Sequence, residues 1–293
     1  MAALRAALGA HMRSAARRPW AARAARPPQP VRGERIGGAR FPRCNAEPAW
    51  LWQIRTLHRL HETATVNPPE TTTPVQRTLP WLAALSGAAA ILSFIGVLPL
   101  ALAFVFKPLT TLLIIGFAWP RGRDALKQRR FIRTGLILSL AGDVFLLWPK
   151  EGFLPGLVAF LLAHLAYIAA FRVPVRLAAK PLVFVAYALV AALILSTLWA
   201  GIPGALRAPV VAYVVCLATM AAQALVWWRG SASAHAADAA LARAAAFGGA
   251  LFMVSDSLLA INKFGAPLPL ASLWILLTYW LAQGCIASAL RAR

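Results

Sequence analysis

From residue 80 onward the chain is a succession of apolar stretches separated by short polar connections, and no soluble domain is written that way. Eight stretches can be read: 80–98, 100–118, 132–148, 154–171, 181–199, 208–228, 244–262 and 268–289. Each is close to the roughly 20 residues that a helix needs to cross the hydrocarbon core of a bilayer. Backbone polar groups in lipid must find partners within their own segment, so the stretches are expected to be helices rather than strands. The expected fold class is all-α, a polytopic membrane bundle of eight transmembrane helices. Tryptophans near segment ends, at Trp81, Trp119, Trp148, Trp199 and Trp228, suit anchoring at the membrane interface.

Charge follows the same segmentation. The basic connections are the N-terminal tail, 121–133, 172–180, 229–243 and the C-terminal Arg291 and Arg293. The connections 96–100, 149–152, 201–207 and 262–267 are nearly neutral. The two kinds alternate along the chain, and the positive-inside rule then places both termini in the cytoplasm. The cell inner membrane is the expected location. The net charge of +21 belongs to this alternation and to the tail, so it describes topology and not a nucleic-acid surface.

Residues 1–79 are rich in Ala, Arg and Pro and contain no sustained apolar run. They lack the hydrophobic core of a secretory signal. An organelle transit peptide shares the Arg-rich, acid-poor composition, but there is no clear amphipathic period. The expectation is a basic, disordered tail or a start assigned too early, followed by a membrane domain over 80–293. The three cysteines, Cys44, Cys216 and Cys285, show no metal or redox spacing and read as small packing residues.

Against this background two acids stand out. Asp143 lies in GLILSLAGDVFLLW and Asp256 in GALFMVSDSLLAI. The remaining acids past residue 80, Asp124, Glu151 and Asp238, are expected in loops. A carboxylate inside a membrane helix is costly and marks a candidate functional site. Counted from the expected outer ends of their spans, both aspartates lie roughly 8–9 Å deep, and Lys107 on the second span roughly 10 Å. His164, on the fourth span, is nearer the middle. Asn262 and Lys263 close the seventh span, and Tyr279 and Gln283 lie in the eighth.

Each residue has a plainer reading. Lys107 can snorkel to the interface. His164, Ser139, Ser255, Ser257 and Gln283 can serve as interhelical hydrogen-bonding glue. Asp143 with Lys107 can form a structural ion pair. The segments Gly135–Asp143 and Gly248–Asp256 share the same Gly-to-Asp spacing, for which a parallel four-helix duplication and chance similarity are both open.

A single intramembrane histidine is too few for a tri-histidine zinc site, so no metal or other cofactor is expected. There is no GxSxG elbow, P-loop or HExxH. Acid–base chemistry by paired carboxylates remains, with proton-coupled transport or lipid flipping by the same buried Asp and Lys as the alternative.

The chain resembles the YhhN-like lysoplasmalogenase family of multi-pass membrane proteins over about residues 80–290. The resemblance is carried by KPLT from Lys107, SLAGDVFLL (139–147), FLLAHLAYIAAF (160–171), FMVSDSLLAINKF (252–264) and TYWLAQGCIA (278–287). It implies a hydrolase cleaving the vinyl-ether bond of a lysoplasmalogen in the bilayer. The products would be a fatty aldehyde and glycerophospho-ethanolamine or -choline. Asp143 and Asp256 are then the expected catalytic pair. Lys107, His164, Asn262, Tyr279 and Gln283 are the expected substrate-binding residues.

Overall fold

In the computed structural model the described residues are 74–148, 150–231 and 235–292. The tail reading and Cys44 therefore fall outside them, except that residues 74–79 already belong to the first helix. Among the described residues there are eight long helices: α1 (Pro74–Phe94), α2 (Ala103–Ala118), α3 (Leu126–Phe145), α4 (Phe153–Phe171), α5 (Pro181–Leu198), α6 (Gly204–Gly230), α7 (Ala236–Phe264) and α8 (Ala271–Ser288). By length and apolar composition, seven of them are able to cross a membrane. The exception is α3, whose first turns read LKQRR before the apolar run begins. The protein is a multi-pass membrane protein.

Several helices overrun the apolar stretches from which they were read. The third starts at Leu126 rather than 132, the sixth at Gly204 rather than 208, and the seventh at Ala236 rather than 244. Hydropathy marks where a helix meets lipid, not where its hydrogen bonding begins. Ala-rich and Lys/Arg-rich turns propagate a helix into the interface at little cost. Asp238 is accordingly not in a loop: it occupies the first turn of α7. There its charge complements the exposed N–H groups of the helix start.

Helix α3 ends early, at Phe145, two residues after Asp143. A tight turn follows, in which the Gly152 N–H donates to the Trp148 carbonyl at 2.7 Å. A Cβ on Gly152 would lie 1.8 Å from the Phe145 carbonyl oxygen, so only glycine fits there. The turn places Asp143 in the last turn of its helix instead of five residues from its end.

The packing is circular. Helices α2, α3, α4, α6, α7 and α8 contact one another in that order, and α8 returns to α2. Helix α1 lies outside against α2 and α8, and α5 lies outside mainly against α6. Advancing every helix by four maps this circuit onto itself, with α3 taking the place of α7 and α4 that of α8. The repeated glycines fit this equivalence. A Cβ on Gly135 would lie 2.2 Å from the Tyr167 ring of α4, and one on Gly248 would lie 2.8 Å from Ile286 of α8. Both glycines let a helix pair close up, and the shared placement favours the duplication over chance similarity.

The basic connections meet at one end of the bundle. Arg291, beyond α8, lies 3.2 Å from Asp124 and also pairs with Asp238. Its carbonyl accepts from Gly122 N–H at 2.9 Å. At the other end, where the connections are neutral, Phe153 packs edge-on against Phe264 and Phe104 against Trp148. Large apolar side chains face outward, among them Trp81, Leu85, Leu182 and Leu193. In a bilayer that surface contacts lipid tails, and the interior is held by close packing and polar bonds instead.

One such bond set fixes the connection between α4 and α5. Gln223 of α6 is fully buried. Its amide donates to the carbonyls of Phe171, Val175 and Arg176 at 3.2–3.4 Å, and its oxygen accepts from Ala178 N–H at 3.2 Å. Ala178 sits in the left-handed region with φ 55°, which a non-glycine residue adopts only when its surroundings hold it there. Gln223→Leu is expected to destabilise the protein by about 1–3 kcal/mol, since it strands these buried backbone groups. Thermal unfolding in detergent measures this, and an unchanged midpoint would refute the clamp.

Candidate active site

Asp143 is the most heavily partnered carboxylate in the bundle. It is 1% exposed. Its Oδ2 accepts from Thr111 Oγ1 at 2.6 Å and from the Tyr279 hydroxyl at 2.7 Å. Its Oδ1 lies 3.9 Å from Lys107 Nζ. Lys107 does not snorkel: it is 5% exposed and held against the acid. Lys107 and Thr111 are one turn apart on α2, so a single helix face supplies both a cation and a hydroxyl.

The network continues inward from Tyr279. Gln283, one turn along α8, donates to the Tyr279 hydroxyl at 3.2 Å and accepts from Tyr167 of α4 at 2.7 Å. Tyr167 in turn lies 3.5 Å from Ser139 of α3. Trp280 Nε1 donates to Thr111 Oγ1 at 3.3 Å. Helices α2, α3, α4 and α8 are thus joined through one buried polar chain. Such a chain fixes rotamers, because each member would lose a partner if it moved.

Asp256 on α7 is placed differently. It accepts a hydrogen bond from the hydroxyl of Tyr213 on α6. It remains partly accessible. Its neighbours on the helix are structural. Ser255 bonds across to the Ile275 carbonyl of α8 at 3.0 Å, and Ser257 bonds back to Met253 at 2.7 Å.

The two aspartates share a cavity of about 270 Å³ at the neutral end of the bundle. Lys107, Tyr279, Asn262 and Lys263 also line it. Asn262 has a second duty, since its Oδ1 accepts from Leu268 N–H at 3.0 Å and shapes the α7–α8 connection. Lys263 Nζ lies 4.9 Å from the centre of the Phe153 ring. A carboxylate beside an ammonium, a second carboxyl bonded to a phenol, and a cavity lined by both can move protons to and from a bound molecule. Among the described residues no three His, Cys, Asp or Glu side chains converge as a metal-ligand set.

Gln283 and His164 are not on the cavity wall. Gln283 acts from behind, through Tyr279. His164 is fully buried, with both ring nitrogens lacking a hydrogen-bond partner. Its ring packs against Phe252 at 4.6 Å, Tyr213 at 5.3 Å and Tyr167 at 6.5 Å. Its ring therefore sits among aromatic side chains and off the cavity wall.

Thr111 and Tyr213 were missed in the sequence. A threonine in a membrane helix reads as packing glue, and a tyrosine at position 213 carries no sign of which way it faces. A signal for Thr111 did exist: it lies four residues after Lys107, on the same helical face.

Two conservative variants test the network. Tyr279→Phe and Tyr213→Phe each remove one hydroxyl from a buried carboxyl. Each is expected to lower turnover about 10- to 100-fold, the equivalent of one hydrogen bond to a charged group, with the fold retained. Near-normal turnover by both would show that the tyrosines are scaffolding only.

The comparisons with known proteins place the chain in a family. The model of the YhhN family matches residues 102–290. Human lysoplasmalogenase TMEM86B is 34% identical over 192 residues, covering 65% of this chain and 76% of that protein. Bovine lysoplasmalogenase TMEM86A is 33% identical over 168 residues, covering 55% of this chain and 66% of that protein, just under two thirds. The uncharacterized membrane protein YhhN of Escherichia coli O157:H7 is 35% identical over 100 residues, covering 33% of this chain and 46% of that protein. No solved structure matches the chain. The family match spans both aspartates, Lys107 and both tyrosines, and covers well over half of the sequence. The chain belongs to the YhhN family.

Proposed function

We propose that the protein is a membrane-embedded lysoplasmalogenase, an ether-bond hydrolase that cleaves the vinyl-ether bond of lysoplasmalogens. The observation that carries this reading is the placement of Asp143 and Asp256 on the wall of one cavity in a member of the YhhN family. Relatives at 33–34% identity named lysoplasmalogenase support the substrate class.

The chemistry matches the residues. A vinyl ether is a weak base at carbon, so hydrolysis begins with a proton delivered to the carbon β to oxygen. This forms an oxocarbenium ion. Water adds to the carbon bearing oxygen and gives a hemiacetal, while a base takes the water's proton. Collapse of the hemiacetal breaks the carbon–oxygen bond. It releases a fatty aldehyde and returns a hydroxyl to the glycerol of glycerophospho-ethanolamine or -choline. One water is consumed, and the protons balance between two carboxyl groups.

The neighbours of each aspartate divide the roles. Asp143, held against Lys107 and bonded to two hydroxyls, serves as the carboxylate that faces the cation and activates water. Asp256, bonded to the Tyr213 phenol and open to the cavity, serves as the proton donor. A fixed negative charge beside the oxocarbenium ion stabilises it strongly where water is scarce. Lys107, Asn262 and Lys263 form the polar wall that meets the phosphate and glycerol. Tyr279 contacts the substrate from α8, while Gln283 and His164 support it from behind.

The same reading includes eight membrane crossings. The charged start of α3 would lie at the interface, and its apolar part, with the following turn, would reach the far side. Alternation of basic and neutral connections supports both termini on the cytoplasmic side of the cell inner membrane. The eight-helix unit is then the catalytic domain, with the lysophospholipid drawn from the bilayer.

Asp143→Asn and Asp256→Asn are each expected to abolish aldehyde release while leaving the protein folded in the membrane. The assay supplies purified protein in detergent with lysoplasmenyl-ethanolamine and measures aldehyde. Wild-type turnover by either variant would sink the paired-carboxylate mechanism. No aldehyde from the wild-type protein would sink the function.

A further inference from the structure

Asp256 lines a second space as well as the polar cavity. This is an apolar slot of about 80 Å³ enclosed by α4, α5, α6 and α7. Leu146, Phe153, Phe160, Asp256 and Leu259 belong to both walls, so the two spaces adjoin at the carboxyl group. Beyond Asp256 the slot presents only hydrocarbon, apart from the Tyr213 phenol and Ser257.

The slot has depth and a movable side. Leu198 and Ile202 line it near the neutral end of the bundle, and Ala191 and Leu217 line it further in. From Leu198 to Ala191 is two helical turns, roughly 10 Å. Its outer wall is α5, which, like α1, lies outside the circuit; it has only Val183, Ala191 and Leu198 buried. Most of the remaining α5 surface faces outward and apolar, as Leu182, Leu189 and Leu193 do. A helix attached along one narrow face, with lipid behind it, can yield to admit a chain that the slot is too tight to hold as it stands.

We propose that this slot between α5 and the α6–α7 face receives the hydrocarbon chain of the substrate, with Ala191 and Leu217 at its inner limit setting the chain length accepted. The proposal rests on the lysoplasmalogenase reading for its substrate class. It follows from continuity: Asp256, proposed to donate the proton, lines both the cavity that holds the charged groups and the apolar slot, and a vinyl ether likewise lies between glycerol and chain. A larger apolar cavity, about 730 Å³ between α1, α2 and α8, shares no lining residue with the polar cavity. Trp280 lines that cavity and donates to Thr111, one residue removed from the acid.

Three variants and one probe test this. With a mixture of short- and long-chain lysoplasmenyl lipids, the short ones matched to the depth of the slot, turnover of long relative to short chains is measured from the aldehydes released. Ala191→Phe is expected to lower that ratio, because a ring at the inner limit leaves a long chain no room to extend without overpacking. Leu217→Ala is expected to raise it. Gly284→Leu fills the α1–α2–α8 cavity at a position where a Cβ has open space, and is expected to leave the ratio unchanged. A ratio unmoved by the first two variants, or moved by Gly284→Leu instead, overturns the proposal.

The probe works on the wild-type protein and needs no turnover. An alkyl-ether lysophosphatidylethanolamine with a diazirine at its chain end is expected to label peptides of α5 and α6 on irradiation. Labelling confined to α1, α2 or α8 overturns the proposal even where aldehyde is made. Labelling of α5 and α6 without any aldehyde would leave the slot standing and the hydrolase reading refuted.

Discussion

The bundle is organised around the burial of the Asp143 carboxylate. Taking a carboxylate out of water costs several kcal/mol even after relaxation, and in a membrane no solvent is at hand to offset it. The fold meets that cost with groups from α2 and α8: the Lys107 ammonium, the Thr111 hydroxyl and the Tyr279 phenol. Each of these must then be held in turn. Tyr279 is held by Gln283, Gln283 by Tyr167, and Thr111 by Trp280. Four helices take their rotational setting from one charge. Apolar packing alone does not do this, because lipid tails solvate an outward-turned leucine as well as a neighbouring helix does.

How much of this was legible in the sequence depended on whether the signal was local. The apolar stretches identified the helices, since hydrocarbon length sets a threshold that a run of residues either meets or does not. They misjudged the helix ends. The LKQRR turns of α3 and the AADAALAR start of α7 are helical without being apolar, and Asp238 moved from a loop to a helix start for that reason. Asp143, Asp256 and Lys107 were legible because charge in an apolar run is rare. Tyr213 and Thr111 were not, because their roles depend on which side of a helix faces inward. His164 is the converse case. A histidine among leucines attracts attention by its type, yet its neighbours are the rings of Phe252, Tyr213 and Tyr167.

The repeated order of the circuit makes the difference between the two aspartates informative. Asp143 and Asp256 occupy equivalent places on α3 and α7, eight residues beyond equivalent close-packing glycines. If the halves still did the same work, their surroundings would match. They do not. The α2 face beside Asp143 offers Lys107 and Thr111, whereas Asp256 meets Tyr213 on the corresponding helix α6. A repeated helix order that places like groups at one cavity, and surrounds them unlike, suits the proposed reaction, which needs an acid in its first step and a base in the next.

The same asymmetry extends to what lies beyond each carboxyl. Behind Asp143 the polar chain runs through Tyr279 and Gln283 to Tyr167. Beside Asp256 the wall turns apolar and opens toward the loosely attached α5. A substrate with a polar head and a long chain therefore has one orientation in which both parts are accommodated. In the proposed binding mode its head would lie among Lys107, Asn262 and Lys263, its chain would run past Asp256, and the bond between the two parts would lie beside the cavity that both carboxyl groups line. Placement follows from polarity alone, so the site can select the scissile bond without reading the chemistry of the bond itself.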